Sequence, residues 1–61
     1  MKKYEKALLR LVGEGWRGVR IAKELGVNKT TVYNWINRVS MPSEENIDKI
    51  IKLEKSVMDA K

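Results

Sequence analysis

Apolar residues recur along this chain every three or four positions, and no run alternates polar with apolar residues. The first spacing is the period of a helix, and without the second no strand is expected. Four stretches carry the helical pattern. In the first, about residues 2–13, Tyr4, Ala7, Leu8, Leu11 and Val12 form one stripe, which Gly13-Glu14-Gly15 ends. The second, about 17–25, turns Val19, Ile21, Ala22 and Leu25 inward, with Trp16 placed to staple the entering chain against the core. The third, about 28–38, opens on Asn28 as N-cap and sets Val32, Trp35, Ile36 and Val39 on an inward arc. The fourth, about 43–59, starts at Ser43 in MPSEEN, where Glu44 and Glu45 meet the positive end of the helix dipole. Ile47, Ile50, Ile51, Val57 and Met58 line one of its sides. The expected fold is all-α, a compact four-helix domain occupying residues 1–61.

The stretch AKELGVNKTTVYNW joins the second pattern to the third. Gly26 supplies the left-handed residue that lets a chain leave a helix sharply. Ala22 is small enough for the next helix to cross nearby, and Val27, Val32 and Trp35 give apolar anchors beyond the turn. Small residue, glycine turn and two later anchors make a helix-turn-helix pattern. On the third helix, Lys29, Thr30, Tyr33, Asn34 and Asn37 share the outward arc, because each residue turns the helix by about 100°. Amides and hydroxyls on such an arc suit the donor, acceptor and methyl pattern of the DNA major groove, and Asn pairs well with adenine. One such residue alone would be read as a solvated helix face; the set, directly after this turn, points to base reading.

Charge completes the picture. The chain carries thirteen Lys/Arg against eight Asp/Glu, net +5. Residues 1–42 hold nine basic and three acidic residues, and residues 43–61 hold four and five. The basic body suggests a polyanion partner, although charge alone would equally serve ordinary solubility. Lys2, Lys3, Lys6, Arg10, Arg17, Arg20, Lys23 and Arg38 are candidates for the sugar-phosphate backbone, which gives affinity without choice of sequence.

From GWRGVRIAKELGVNKTTVYNWINR through MPSEENIDKI, about residues 16–52, the sequence resembles the Cro-like phage-repressor (XRE-type) helix-turn-helix family. The resemblance rests on Trp35 late in the third helix, a short loop, Pro42-Ser43, and the Asn46-Ile47-Asp48-Lys49-Ile50 run. It implies a repressor-type fold and major-groove readout by the third helix. Carried over by position, base contacts fall on Lys29, Thr30 and Asn34 with Tyr33 beside them, and Asn28 and Thr31 lie near a phosphate. Arg17 and Arg20, one of which must take over the contact that Gly18 cannot make, and Asn37 and Arg38 are the further candidate phosphate contacts. Two positions depart from the family. Gly18 stands where Gln often contacts a phosphate, and Arg38 stands where Gly usually follows the recognition helix.

These readings converge on a sequence-specific regulator of transcription that binds double-stranded DNA, a small repressor of phage or mobile-element type. Its expected partners are a symmetric operator and a second copy of the chain. Leu53, Val57 and Met58 are the candidate dimer contacts, because they widen the apolar stripe of the fourth helix. Two other readings stay open. One is the DNA-targeting module of a recombinase or transposase, although a chain starting at Met1 with 61 residues has no room for a catalytic domain. The other is an antitoxin-like module that binds protein through the fourth helix.

Other classes are disfavoured. His and Cys are absent, Ser40 and Ser43 have no evident general base, and Glu44, Glu45 and Asp48 read better as a helix start than as a cation site. No enzyme activity, metal, cofactor or small-molecule ligand is expected. The stretch GEGWRG matches a dinucleotide-binding spacing but lacks the strand before it. MKKYEKALLRLV lacks the apolar segment of a signal peptide, and no run approaches the ~20 apolar residues of a membrane span, so a cytoplasmic, nucleoid-associated location is expected.

Overall fold

The computed structural model describes residues 2–60, so both end residues of the expected 1–61 domain lie outside the described part. Four helices follow one another: α1 (Lys3–Gly13), α2 (Gly18–Leu25), α3 (Lys29–Ile36) and α4 (Glu44–Asp59). No strand occurs among the described residues. α1 packs chiefly along α4 and α2 against α3, while smaller α1–α3 and α2–α4 contacts close the bundle.

Its centre is a hydrophobic cluster of Tyr4, Ala7, Leu8, Leu11, Trp16, Ile21, Ala22, Leu25, Val32, Trp35 and Ile50. Among the described residues no polar or charged side chain is buried, so the core carries no desolvation cost of that kind.

The first three helices end the same way. Trp16 N–H donates to the Leu11 carbonyl and Gly15 N–H to Val12; Val27 donates to Ala22 and Gly26 to Lys23; Val39 donates to Asn34 and Arg38 to Trp35. Each pair of bonds is a Schellman motif, which requires a left-handed residue just past the helix. Gly15 (φ 93°) and Gly26 (φ 74°) fill that place without a Cβ clash, whereas the third motif uses Arg38 at φ 62°. α3 therefore stops at Ile36, two residues short of the expected end.

Five apolar expectations are corrected. Val12, Val19 and Val39 are exposed, not inward. Val19 is turned away because the buried stripe of α2 runs through Gly18, Ile21, Ala22 and Leu25. Val39 lies beyond the left-handed residue, where the helical arc no longer applies, and is 72% exposed. Val12 sits at the edge of the α1 stripe, on a groove it shares with Trp16, Tyr33 and Ile36. On α4, Ile50 is fully buried and Ile47, Leu53 and Val57 pack against the core. Leu53 and Val57, expected beyond the intrachain stripe, lie on the 50-53-57 row and so turn inward, while Ile51 and Met58 stay half-buried.

Candidate nucleic-acid interface

α3 begins where Asn28 offers its side-chain oxygen to the backbone N–H of Thr30 at 2.9 Å. This N-cap satisfies one of the orphan donors of the helix start and fixes how the chain enters α3. From there the helix divides cleanly. Val32 (0% exposed) and Trp35 (3%) go into the core, while Lys29, Thr30, Tyr33 and Asn37 stand exposed and Thr31 and Asn34 half-exposed. All four expected base-contact positions, Lys29, Thr30, Tyr33 and Asn34, thus share one accessible flank. An α-helix with its side chains is about 10–12 Å in diameter, which a major groove about 12 Å wide admits.

Of the expected phosphate positions, Arg17 and Asn37 share a groove with Tyr33, while Arg20 and Arg38 make contacts of their own. Arg17 is exposed at the start of α2, next in sequence to Gly18. Arg20 lies over the Trp16 ring, its guanidinium carbon 3.8 Å from the ring centroid. That stacking fixes a cation beside α2 and contributes about 0.5–1 kcal/mol at an exposed site. Arg38 follows α3, but its Nε is 3.0 Å from Oε2 of Glu5, which draws the guanidinium toward α1.

The remaining basic residues divide between two sides. Lys23 is exposed on α2. Lys3, Lys6 and Arg10 instead surround Ile51 and Glu54 at the α1–α4 seam, and Arg10 Nη1 is 3.0 Å from Glu54 Oε1. Their charge is therefore not brought together with α3, a division that residue type could not reveal.

Tyr33 holds a contact that sequence reading missed. Its ring lies directly over Gly18, so that a β-carbon added there would stand 2.7 Å from Cε1 and 2.8 Å from Cζ. Such distances are well inside van der Waals contact, and any larger residue at 18 would displace the ring. A shallow groove lined by Gly15, Trp16, Arg17, Gly18, Tyr33 and Asn37, among others, runs along this seam.

Among the described residues, no group of three or more His, Cys, Asp or Glu could hold a metal ion, and no helix is long and apolar enough to cross a membrane.

Two helices joined at a left-handed glycine, the second offering a polar flank beside a basic rim, define a DNA-binding helix-turn-helix domain. Residues 2–48 match the family described as the homeodomain-like domain, and the chain belongs to that family. The match takes in α1, α2 and α3 and stops inside α4. Neither the curated proteins nor the solved structures give a match.

Proposed function

We propose that this chain is a sequence-specific regulator of transcription that reads double-stranded DNA with α3 in the major groove. One observation carries the reading: α3 buries Val32 and Trp35 while Lys29, Thr30, Tyr33 and Asn34 stay accessible on the opposite flank. The Thr30 hydroxyl and Asn34 amide there discriminate bases, and Arg17, Arg20, Asn28, Thr31, Asn37 and Arg38 hold the backbone. Binding, rather than catalysis, is the activity this arrangement serves.

The finer reading is a small repressor that acts by occluding a promoter, in keeping with the Cro-like resemblance of residues 16–52. The longest dimension of the domain is 31 Å. One copy therefore covers less than the ~34–36 Å between successive half-sites, and a symmetric operator calls for two copies. Leu53, Val57 and Met58 on α4 are the proposed dimer contacts. A second reading, the targeting module of a recombinase or transposase, draws on the match being to a homeodomain-like family and not to the phage-repressor family.

The test is selection of duplexes from a random pool, followed by titration of the winner against an unrelated duplex across salt concentrations. A regulator of this kind selects one symmetric site, prefers it by at least about 1,000-fold, and loses affinity steeply as salt rises. No preference among duplexes would overturn the proposal. Selection of an unsymmetric site would favour the targeting module.

A further inference from the structure

The contact between Tyr33 and Gly18 bears on how the interface divides its labour. Tyr33 belongs by spacing to the outward arc of α3, together with Thr30, Asn34 and Asn37. Its ring nevertheless leans off that arc and lies on α2. A β-carbon at Gly18 would meet Cε1 at 2.7 Å, Cζ at 2.8 Å and the hydroxyl oxygen at 3.2 Å, so the far end of the phenol rests on the first turn of α2. The side chain keeps 43% of its surface exposed, and no hydrogen bond within the described residues is recorded for its hydroxyl. Its groove holds the exposed Arg17 and Asn37.

A side chain whose far end rests on the neighbouring helix is poorly placed to follow a base edge. A hydroxyl donor next to a guanidinium and an amide is instead the chemistry that holds a phosphate oxygen. We infer that Tyr33, positioned by Gly18, donates its hydroxyl to the DNA sugar-phosphate backbone beside Arg17, and is therefore an affinity residue and not a base reader. Gly18 is the positioning residue of the pair. It acts by lacking a side chain, and the ring occupies the space a β-carbon would take.

This inference rests on the DNA-binding reading and deepens it. The experiment uses the full chain, the duplex selected from the random pool and an unrelated duplex of equal length. Tyr33→Phe keeps the ring and removes the hydroxyl. Affinity falls by the same factor on both duplexes, about threefold to tenfold, and the salt slope stays that of the unaltered chain because a neutral donor releases no counterion. Gly18→Ala gives a similar loss although alanine favours the helix and keeps the domain folded. In a Tyr33→Ala background, where no ring remains to displace, Gly18→Ala changes affinity no further.

A changed ratio between the two duplexes in Tyr33→Phe would make Tyr33 a base reader and overturn the inference. So would an unchanged affinity in Tyr33→Phe, or a Gly18→Ala effect of equal size with and without the ring. If the unaltered chain prefers no duplex, the DNA reading itself fails, an outcome distinct from failure of the variants alone.

Discussion

Arg38 and Glu5 tie the end of the third helix to the first: Nε of Arg38 lies 3.0 Å from Oε2 of Glu5, and the second carboxylate oxygen accepts from the Lys2 backbone N–H at 3.3 Å. Arg38 also sits at φ 62°, the place that Gly15 and Gly26 fill in the other two Schellman turns. Two effects of opposite sign meet at one residue. The left-handed backbone costs a non-glycine residue about 1 kcal/mol, and the ion pair, exposed on its Arg38 side, returns a comparable amount. Comparing two truncations separates them, because both remove the ion pair and only one relieves the backbone. Arg38→Gly should be more stable than Arg38→Ala by about 1 kcal/mol, or about 4–8 °C in thermal unfolding followed by circular dichroism. Equal midpoints would mean that residue 38 is not held left-handed.

Asn28 caps α3 through a single hydrogen bond to Thr30 N–H at 2.9 Å. Asn28→Ala should lower stability in urea unfolding by about 0.5–2 kcal/mol, and Asn28→Ser should recover most of the loss because its hydroxyl can accept the same bond. If alanine proves as stable as asparagine, the cap does not hold α3 in solution.

Asn34 is half-exposed on the flank that includes Thr30. As a base reader its amide would contribute only where the right base pair stands. Asn34→Ala is expected to weaken binding to the selected duplex by roughly 1–3 kcal/mol and to leave binding to unrelated DNA nearly unchanged. Equal losses on both duplexes, measured by fluorescence anisotropy, would move Asn34 to the backbone.

Arg17 is the counterpart, an exposed cation at the N-cap position of α2. Arg17→Ala should weaken selected and unrelated duplexes alike and reduce the slope of log affinity against log salt by about one. An unchanged slope would show that no phosphate is neutralised there.

How much of this was legible beforehand depends on whether a feature is local. Asn28, Ser43 and Gly26 act within a few residues of their position, and the structure places the helix starts and the turn where those residues call for them. The split of α3 into Val32 and Trp35 against Thr30 and Tyr33 follows from helical period alone. Val19 was misplaced because Gly18, which fills the matching core position on α2, gives no apolar signal. Arg38 reads as a helix former by residue type, so its left-handed turn shows in the structure, in its φ of 62° and in the Val39-to-Asn34 and Arg38-to-Trp35 hydrogen bonds. The pairs Arg10–Glu54, Arg38–Glu5 and Tyr33–Gly18 join different helices, and nothing in residue type announces them.

Dimerisation is the remaining proposal, and α4 narrows it. Ile50 is wholly buried and Leu53 and Val57 give part of their surface to the intrachain core, so a second copy would meet their exposed remainders together with the half-buried Met58. That is a small apolar area, and a face of this size supports weak association in free solution and tighter association when DNA holds two copies side by side. Sedimentation should therefore show self-association that strengthens on a symmetric duplex, with two chains bound per site. Met58→Glu, which places a charge on that face without touching the wholly buried core, should abolish cooperative binding of the second copy while leaving the fold and single half-site affinity intact. A monomer at high concentration, with one chain per symmetric duplex, would remove α4 as a dimer surface and leave α3 to act from a single copy.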